Sequence, residues 1–238
     1  LKKFIPLTLI IIAIIAVSGC IGQNITGSGK IVNESRNVGA FNQIELNGAG
    51  ELIITQGNRE SLTVQADDNL MPYIKTSVNN NKLTINFDNA LPLPRQPVKI
   101  YLTVRDINSI NTSGSGKINS NSLRANNLAI SMNGAGEGNL ANLNTQTLKI
   151  VISGAGRMTI SGNVNEQNID ISGAGEYNAA NLNSKITTLS INGAGRGTVR
   201  VSDLLNAMIN GGGEIKYIGN PRVVQQVNGA GNIEQIQG

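Results

Sequence analysis

The sequence predicts an all-β fold, a parallel β-solenoid (β-helix-like) with coils of about 18–20 residues and an irregular, β-rich N-terminal part. The first observation behind this is a Gly-x-Gly triplet led by Asn or Ser, with first glycines at Gly48, Gly114, Gly134, Gly154, Gly173, Gly193, Gly211 and Gly229. After one gap of 66 residues, the intervals are 20, 20, 19, 20, 18 and 18. A short motif recurring at near-constant spacing marks repeats that stack as successive coils. The second observation is a period of two in the apolar residues around each triplet. The third is the absence of helical periodicity after the first twenty residues, in a chain with 3% aromatic residues and no His or Trp.

The extreme N-terminus stands apart from that fold. Lys2 and Lys3 precede an apolar run from Phe4 to Val17, 14 residues long and interrupted by Pro6. A membrane-spanning helix needs about 20 apolar residues, so residues 1–19 read as a signal peptide. Val17-Ser18-Gly19-Cys20 resembles a lipobox, whose cysteine becomes the first mature residue and carries lipid. Cys20 is the single cysteine, which leaves no disulfide to stabilise an exported chain. Removing Lys2 and Lys3 lowers the formal charge from +4 by two. The remaining charges are dispersed, so nucleic acid is not an implied partner.

Residues 20–30 read as a lipidated, flexible tether, and 31–109 as the irregular β-rich part. Short alternating strands appear at Ile44-x-Leu46, Leu52-x-Ile54, Leu62-x-Val64 and Leu83-x-Ile85-x-Phe87, with a turn at Asn79-Asn80-Asn81. The prolines of Leu91–Pro97 predict a loop outside any ladder, and Val98–Val104 reads as a further strand. Residues 110–238 form the regular solenoid, and 31–238 is open to description as one domain.

Within the solenoid, the residue two before each first glycine is Met132, Ile152, Ile171, Ile191, Ile209 or Val227. Four before stand Ile130, Ile150, Ile169 and Leu189, then Ala207 and Gln225. Four after stand Ile118, Met158, Tyr177, Ile215 and Ile233, with Gly138 and Gly197 between. Alternation puts these positions on the inner face. The paired glycines Gly134 and Gly136, Gly154 and Gly156, Gly173 and Gly175, Gly193 and Gly195 share that parity. They are expected where the interior is too narrow for a side chain or where the chain bends.

Three residues after the first glycine stand Lys117, Glu137, Arg157, Glu176, Arg196 and Glu214, alternating in sign at every step. In-register stacking turns these into one outward column of opposite charges. Slipping by one coil keeps the apolar pattern but opposes like charges, so the column is expected to fix register. The Ser or Asn before each triplet forms a second polar column.

Several chemistries are excluded or disfavoured. Without histidine or a second cysteine, no His-based triad or zinc site can be assembled. Gly114-Ser-Gly-Lys117 ends like a phosphate loop, but Asn111 replaces the leading glycine and Ile118 the magnesium-binding Ser or Thr. No cofactor is implied. Glu137, Glu176 and Glu214 could serve as paired acids on a polysaccharide, as in β-helix enzymes, yet each is bracketed by Lys or Arg. Asp67-Asp68 lacks the spaced oxygen ligands of a calcium site and reads as a solvated turn.

Arg36-x-Val38-x-x-Phe41-x-x-Ile44-x-Leu46-x-Gly48-Ala49-Gly50, then Ala66–Thr76, then the repeated Ser/Asn-Gly-Ala-Gly resemble the head GIN domain, a family labelled auto-transporter adhesin. The resemblance spans about residues 36–238. It implies a secreted or lipid-anchored solenoid-like protein and supplies no catalytic residues. No outer-membrane barrel is recognisable, and anchoring through Cys20 takes the place of self-export. The expected protein is an exported surface lipoprotein that is not an enzyme and contacts an unknown surface protein or glycan. Alternatives are a polysaccharide-acting β-helix enzyme, with acids clustered in a groove free of cations, and a structural envelope spacer. An exposed uncharged strip would mark the binding module.

Overall fold

The computed structural model describes residues 25–88 and 92–238. Cys20, the signal-peptide reading and the first part of the tether lie outside the described residues. The chain forms a parallel β-solenoid, with an antiparallel cap at its N-terminal end.

The regular coils are the long strands Glu137–Gly154, Arg157–Gly173, Glu176–Gly193 and Arg196–Gly211. Each pairs in parallel with the next, and Gly154 aligns with Gly173, Gly173 with Gly193 and Gly193 with Gly211. Within Glu137–Gly154 the buried residues are Gly138, Leu140, Leu143, Thr145, Leu148, Ile150 and Ile152. The alternation changes parity after Leu140 and again after Thr145. Together with the triplet, these breaks make three corners, so each coil encloses a narrow three-sided core. Asn142 takes a φ of 50° at one corner. At the next, the Thr145 hydroxyl lies 3.0 Å from the carbonyls of Asn126 and Thr147, supplying a donor to backbone that has left the ladder.

The two glycines of a triplet have different tasks, which corrects the expectation that both face inward. The first lies on the outside of the bend: Gly154 is exposed, with a φ of +116°, and a Cβ there would stand 2.6 Å from the Gly134 carbonyl oxygen below. The second is buried and faces the core; a Cβ on Gly175 would stand 2.6 Å from Ile152 Cγ2. The corner is therefore restricted once by backbone conformation and once by space. Ala135, Ala155, Ala174 and Ala194 each donate a backbone N–H to the first glycine of the coil below, at 2.9–3.0 Å.

The N-terminal part is woven into the same stack. Gln43–Asn47 pairs in parallel with Ser109–Ser113 on one side and Lys82–Asn86 on the other. Glu51–Ile53 likewise pairs with Lys117–Asn119, and Glu51–Gln56 with Lys99–Val104. The rung made by 43–56 thus lies between rungs that both follow it in sequence. Three antiparallel strands close the end. Ile74–Asn79 turns back on Lys82–Phe87 through Asn80 and Asn81, with φ of 50° and 60°. Ser61–Gln65 pairs antiparallel with Lys99–Thr103, and Ile31–Arg36 pairs antiparallel with Ser61–Asp67.

Two local expectations are overturned. Residues 25–30 of the expected tether are docked: Ile25–Thr26 pairs with Pro92–Leu93, so part of the proline-rich loop joins a short ladder. A proline lacks only the N–H and keeps its acceptor, which suffices for a two-residue edge. Asp67 is not a solvated turn. It is fully buried and accepts the backbone N–H of Gly29 at 2.6 Å and of Arg95 at 3.1 Å. Asp68 accepts the Ser28 hydroxyl at 2.6 Å, and that bond, aided by Lys30, holds its carboxyl below the usual range.

The core is mainly aliphatic, and it encloses a buried polar network around Gln167. Tyr177 Oη donates to Gln167 Oε1 at 2.7 Å, and Gln167 Nε2 donates to Ser184 Oγ and Thr187 Oγ1 at 3.0 Å each. Burial pushes the Tyr177 hydroxyl far above its ordinary range, so it remains a donor. Tyr177 and Met158 sit in the inward column between Gly138 and Gly197; a Cβ on Gly138 would collide with Met158 Sδ, and one on Gly197 with Leu189 Cδ2.

Gly154→Ala should lose about 1–3 kcal/mol in chemical denaturation, from forced backbone strain against the rung below. Ala155→Ser, which copies Ser115 two motifs earlier, should stay within about 0.5 kcal/mol. Asp68 has a lowered pKa when folded, so its contribution is complete above the unfolded value of about 3.9 and is lost as pH falls through the folded value. Limited proteolysis should therefore cut residues 25–30 faster at strongly acidic pH than at neutrality, and Asp68→Asn should cut equally fast at both.

Candidate functional site

The surface is organised by columns running up the stack, starting at the triplet corner. The register aligns Lys99, Glu51, Lys117, Glu137, Arg157, Glu176, Arg196 and Glu214 in that order. Contacts within 4 Å join alternate steps: Lys117 to Glu137 at 3.0 Å, Arg157 to Glu176 at 2.9 Å and Arg196 to Glu214 at 3.8 Å. Glu214 also meets Lys216 at 3.0 Å, which reaches Glu234 at 3.5 Å. The carboxylates raise the pKa of Lys117, Arg157 and Lys216, each chiefly through its hydrogen-bonded partner. The sequence reading omitted Glu51 and Lys99. Glu51 obeys the same offset from Gly48, a signal that was available; Lys99 follows no triplet.

A concavity of about 340 Å³ lies where this column begins, between the Gly48–Gly50 corner and Pro94–Val98. Glu51 and Glu137 both border it, but Lys117 stands between them in register. Asn119 Nδ2 donates to Glu51 Oε1 at 2.8 Å. Hydrolysis by paired carboxylates needs one acid kept protonated beside an ionised partner. Here Lys117 pairs with Glu137 and the Asn119 amide donates to Glu51, which is the wiring of a structural column.

The Ser/Asn column consists of Ser113, Asn133, Ser153, Ser172, Asn192, Asn210 and Asn228. Its hydrogen bonds lie toward the ends: Ser113 to Asn47 at 2.6 Å, Asn210 to Asn192 at 2.9 Å and Asn228 to Asn210 at 2.8 Å. Two parallel columns share this side of the prism, one from Asn111 to Gln226 and one from Ser109 to Val224. From Ser109 onward Lys149 and Asp170 are the charged residues of these three columns. The side is flat because every residue on it projects from a parallel ladder in register. It is a broad field of hydroxyls, amides and aliphatic groups, with one shallow concavity of about 210 Å³ at its margin, where Ala129, Lys149 and Asn168 adjoin Asn127, Thr147 and Glu166.

Metal chemistry finds little support. The Asp67 carboxylate is occupied by backbone donors, and among the described residues no three His, Cys, Asp or Glu side chains converge.

Arg157→Glu should lower the thermal midpoint in low salt, and the loss should shrink at about 1 M salt, where charge interactions reach only about 3 Å. The double exchange Arg157→Glu with Glu176→Arg should recover part of it, because it restores the close contact within that pair while opposing like charges at Glu137 and at Arg196. Full recovery in salt of the single variant alone, with none from the exchange, would refute the pairing.

Comparison with known proteins places the architecture in a defined group. A structure of a putative adhesin from Bacteroides fragilis is similar, with a TM-score of 0.83 and 26% identity over 90% of this chain and 100% of that chain. A putative lipid binding protein from Parabacteroides distasonis shares the fold at a TM-score of 0.74 and 22% identity, with 90% and 100% covered. So does a putative adhesin from Parabacteroides merdae, at 0.67 and 23%, with 90% and 99% covered. No curated protein matches the chain. Residues 40–221, which hold the woven rung and the regular coils, match the family described as putative auto-transporter adhesin, head GIN domain, and the chain belongs to that family.

Proposed function

We propose that this protein is an exported, lipid-anchored binding module of the cell surface that recognises a surface protein or glycan and turns nothing over. The observation that carries this reading is the flat, almost uncharged side of the prism, a surface of neutral donors and acceptors held at fixed spacing. Such a face suits an extended, neutral partner whose hydroxyls and amides exchange hydrogen bonds along it. The adhesin descriptions of the family and of the Bacteroides fragilis structure agree with that use. The engagement of Glu51, Glu137 and Glu176 by cations and amides supports a non-catalytic role over a polysaccharide-acting enzyme.

Anchoring through a lipid on Cys20 completes the reading. Residues 27–30 are fastened to the capped end by Asp67, Asp68 and Asn69. The chain from Cys20 to Ile25 spans at most about 18 Å. The cap therefore faces the membrane, and the coils lead away from it.

Labelling cells with a lipid precursor should mark the wild-type chain and not Cys20→Ser, which should leave the membrane fraction. Labelled Cys20→Ser sinks the anchor. For recognition, the full chain is screened against cell-wall polymers, host glycans and envelope proteins, with product analysis on every hit. Ser153→Arg with Ser172→Arg, on the flat side, should reduce binding at least tenfold, and the exchanged charge pair should not. Release of products, or binding indifferent to both arginines, overturns the proposal.

A further inference from the structure

The two ends of the solenoid are finished differently. At the capped end, the outermost strands Ile31–Arg36 and Ile74–Asn79 are antiparallel additions carrying Glu34, Arg36 and Lys75. Charged edge strands resist pairing with another chain. At the other end, the last rung is Arg222–Gly229 with Asn232–Gln235. Each pairs below, with Leu204–Gly211 and Glu214–Tyr217, and among the described residues no strand pairs above. From Val223 to Ile233 this rung carries no charge.

The inward positions of Arg222–Gly229 are Val223, Gln225 and Val227, aligned on Leu205, Ala207 and Ile209 of the buried rung beneath. Val227 keeps 40% of its surface exposed, and the neighbouring Val224 keeps 49%. The column that runs Ile130, Ile150, Ile169, Leu189 and Ala207 ends on the exposed amide of Gln225. The strand is thus an open edge whose inward pattern, Val-Gln-Val, reads the same in both directions.

That symmetry identifies the occupant. In an antiparallel ladder, residues directly opposite share a face. With the two-fold axis at Gln225, Val223 lies opposite Val227 twice, and the two Gln225 amides face each other as donor and acceptor. Val224 meets Gln226, and Arg222 meets Asn228, so no like charges are opposed. A head-to-tail stack is blocked by the charged cap at the other end, which leaves the closed, isologous pair. We infer that the C-terminal end is a homophilic contact: the edge of Arg222–Gly229 pairs antiparallel with the same strand of a second copy of this chain.

Orientation gives the contact its use, and this step rests on the anchored reading above. The tether enters at the capped end, so among the described residues the open edge is the rung farthest from the membrane. A two-fold axis across the tips points the two anchors in opposite directions, joining molecules on facing surfaces. The contact is small, below the roughly 1,200 Å² of a stable interface. Single pairs are then weak, and many copies on apposed surfaces supply the strength.

Gln225 lies on the axis, which provides a test that does not depend on disrupting the fold. Full chain in detergent micelles is followed by sedimentation from low to high micromolar concentration. The wild type should dimerise, Gln225→Lys and Gln225→Glu should each weaken self-association at least tenfold, and an equal mixture of the two should restore it. A wild type that stays monomeric, or charge variants that dimerise as well as wild type, overturns the contact. Two dye-labelled populations of phosphatidylcholine vesicles carrying the full chain then report the arrangement. Wild-type vesicles should dock with each other, and Gln225→Lys vesicles should dock with Gln225→Glu vesicles and not with themselves. Dimers in micelles without vesicle docking uphold the interface and sink the facing-surface orientation, separating it from the recognition by the flat side.

Discussion

Every layer of this protein depends on one constraint: the triplet corner must repeat in the same place and shape at each rung. Corner N–H groups donate to glycine carbonyls one rung below, from Lys117 to Gly50 through to Asn232 to Gly213, at 2.8–3.1 Å. A bend that shifted by one residue would break this chain of bonds and turn the inward side chains outward. Because the corner is fixed, the residues flanking it become columns, and each column acquires a uniform chemical character. The aliphatic interior, the paired charges and the neutral flat side are three consequences of one repeated bend.

The regular coils were legible because their period is encoded locally, in glycine spacing and two-residue alternation. The woven rung was not. Residues 43–56 carry a triplet and alternating apolar residues like any coil, but nothing linear states that their neighbours come later in the chain. Glu51 therefore has the right offset while its place in the stack, between Lys99 and Lys117, belongs to tertiary pairing alone. The second and third corners were hidden for another reason: Asn142 and Thr145 satisfy the bend without glycine, so no motif announces the change of parity. Asp67 reads as a turn residue until Gly27–Gly29 arrive to bury it, a contact between segments 38 residues apart in the Gly29 hydrogen bond.

The columns also divide labour across the surface. Alternating charges occupy the edge of the corner, where their partners lie one rung away and neutralise them. The broad side beside that edge has few charges to attract or repel, and it lacks the aromatic platforms of many sugar sites. Its hydroxyls and amides repeat along the axis at about 4.8 Å per rung. The tip differs again. It is uncharged from Val223 to Ile233 and centred on an exposed amide, while the cap carries Glu34, Arg36 and Lys75.

The woven rung has a mechanical consequence. A solenoid wound strictly in chain order can be peeled from either end, losing one ladder at a time. Tension applied at Ile25 meets a different arrangement, since freeing residues 43–56 requires breaking hydrogen bonds to both Lys82–Val104 and Ser109–Asn119 together. Among the described residues the outermost C-terminal rung has one ladder to lose, and residues 43–56, the first rung in chain order, are clasped on two sides. Pulled between Ile25 and that last rung, the molecule is built to yield first at the C-terminal end of the stack.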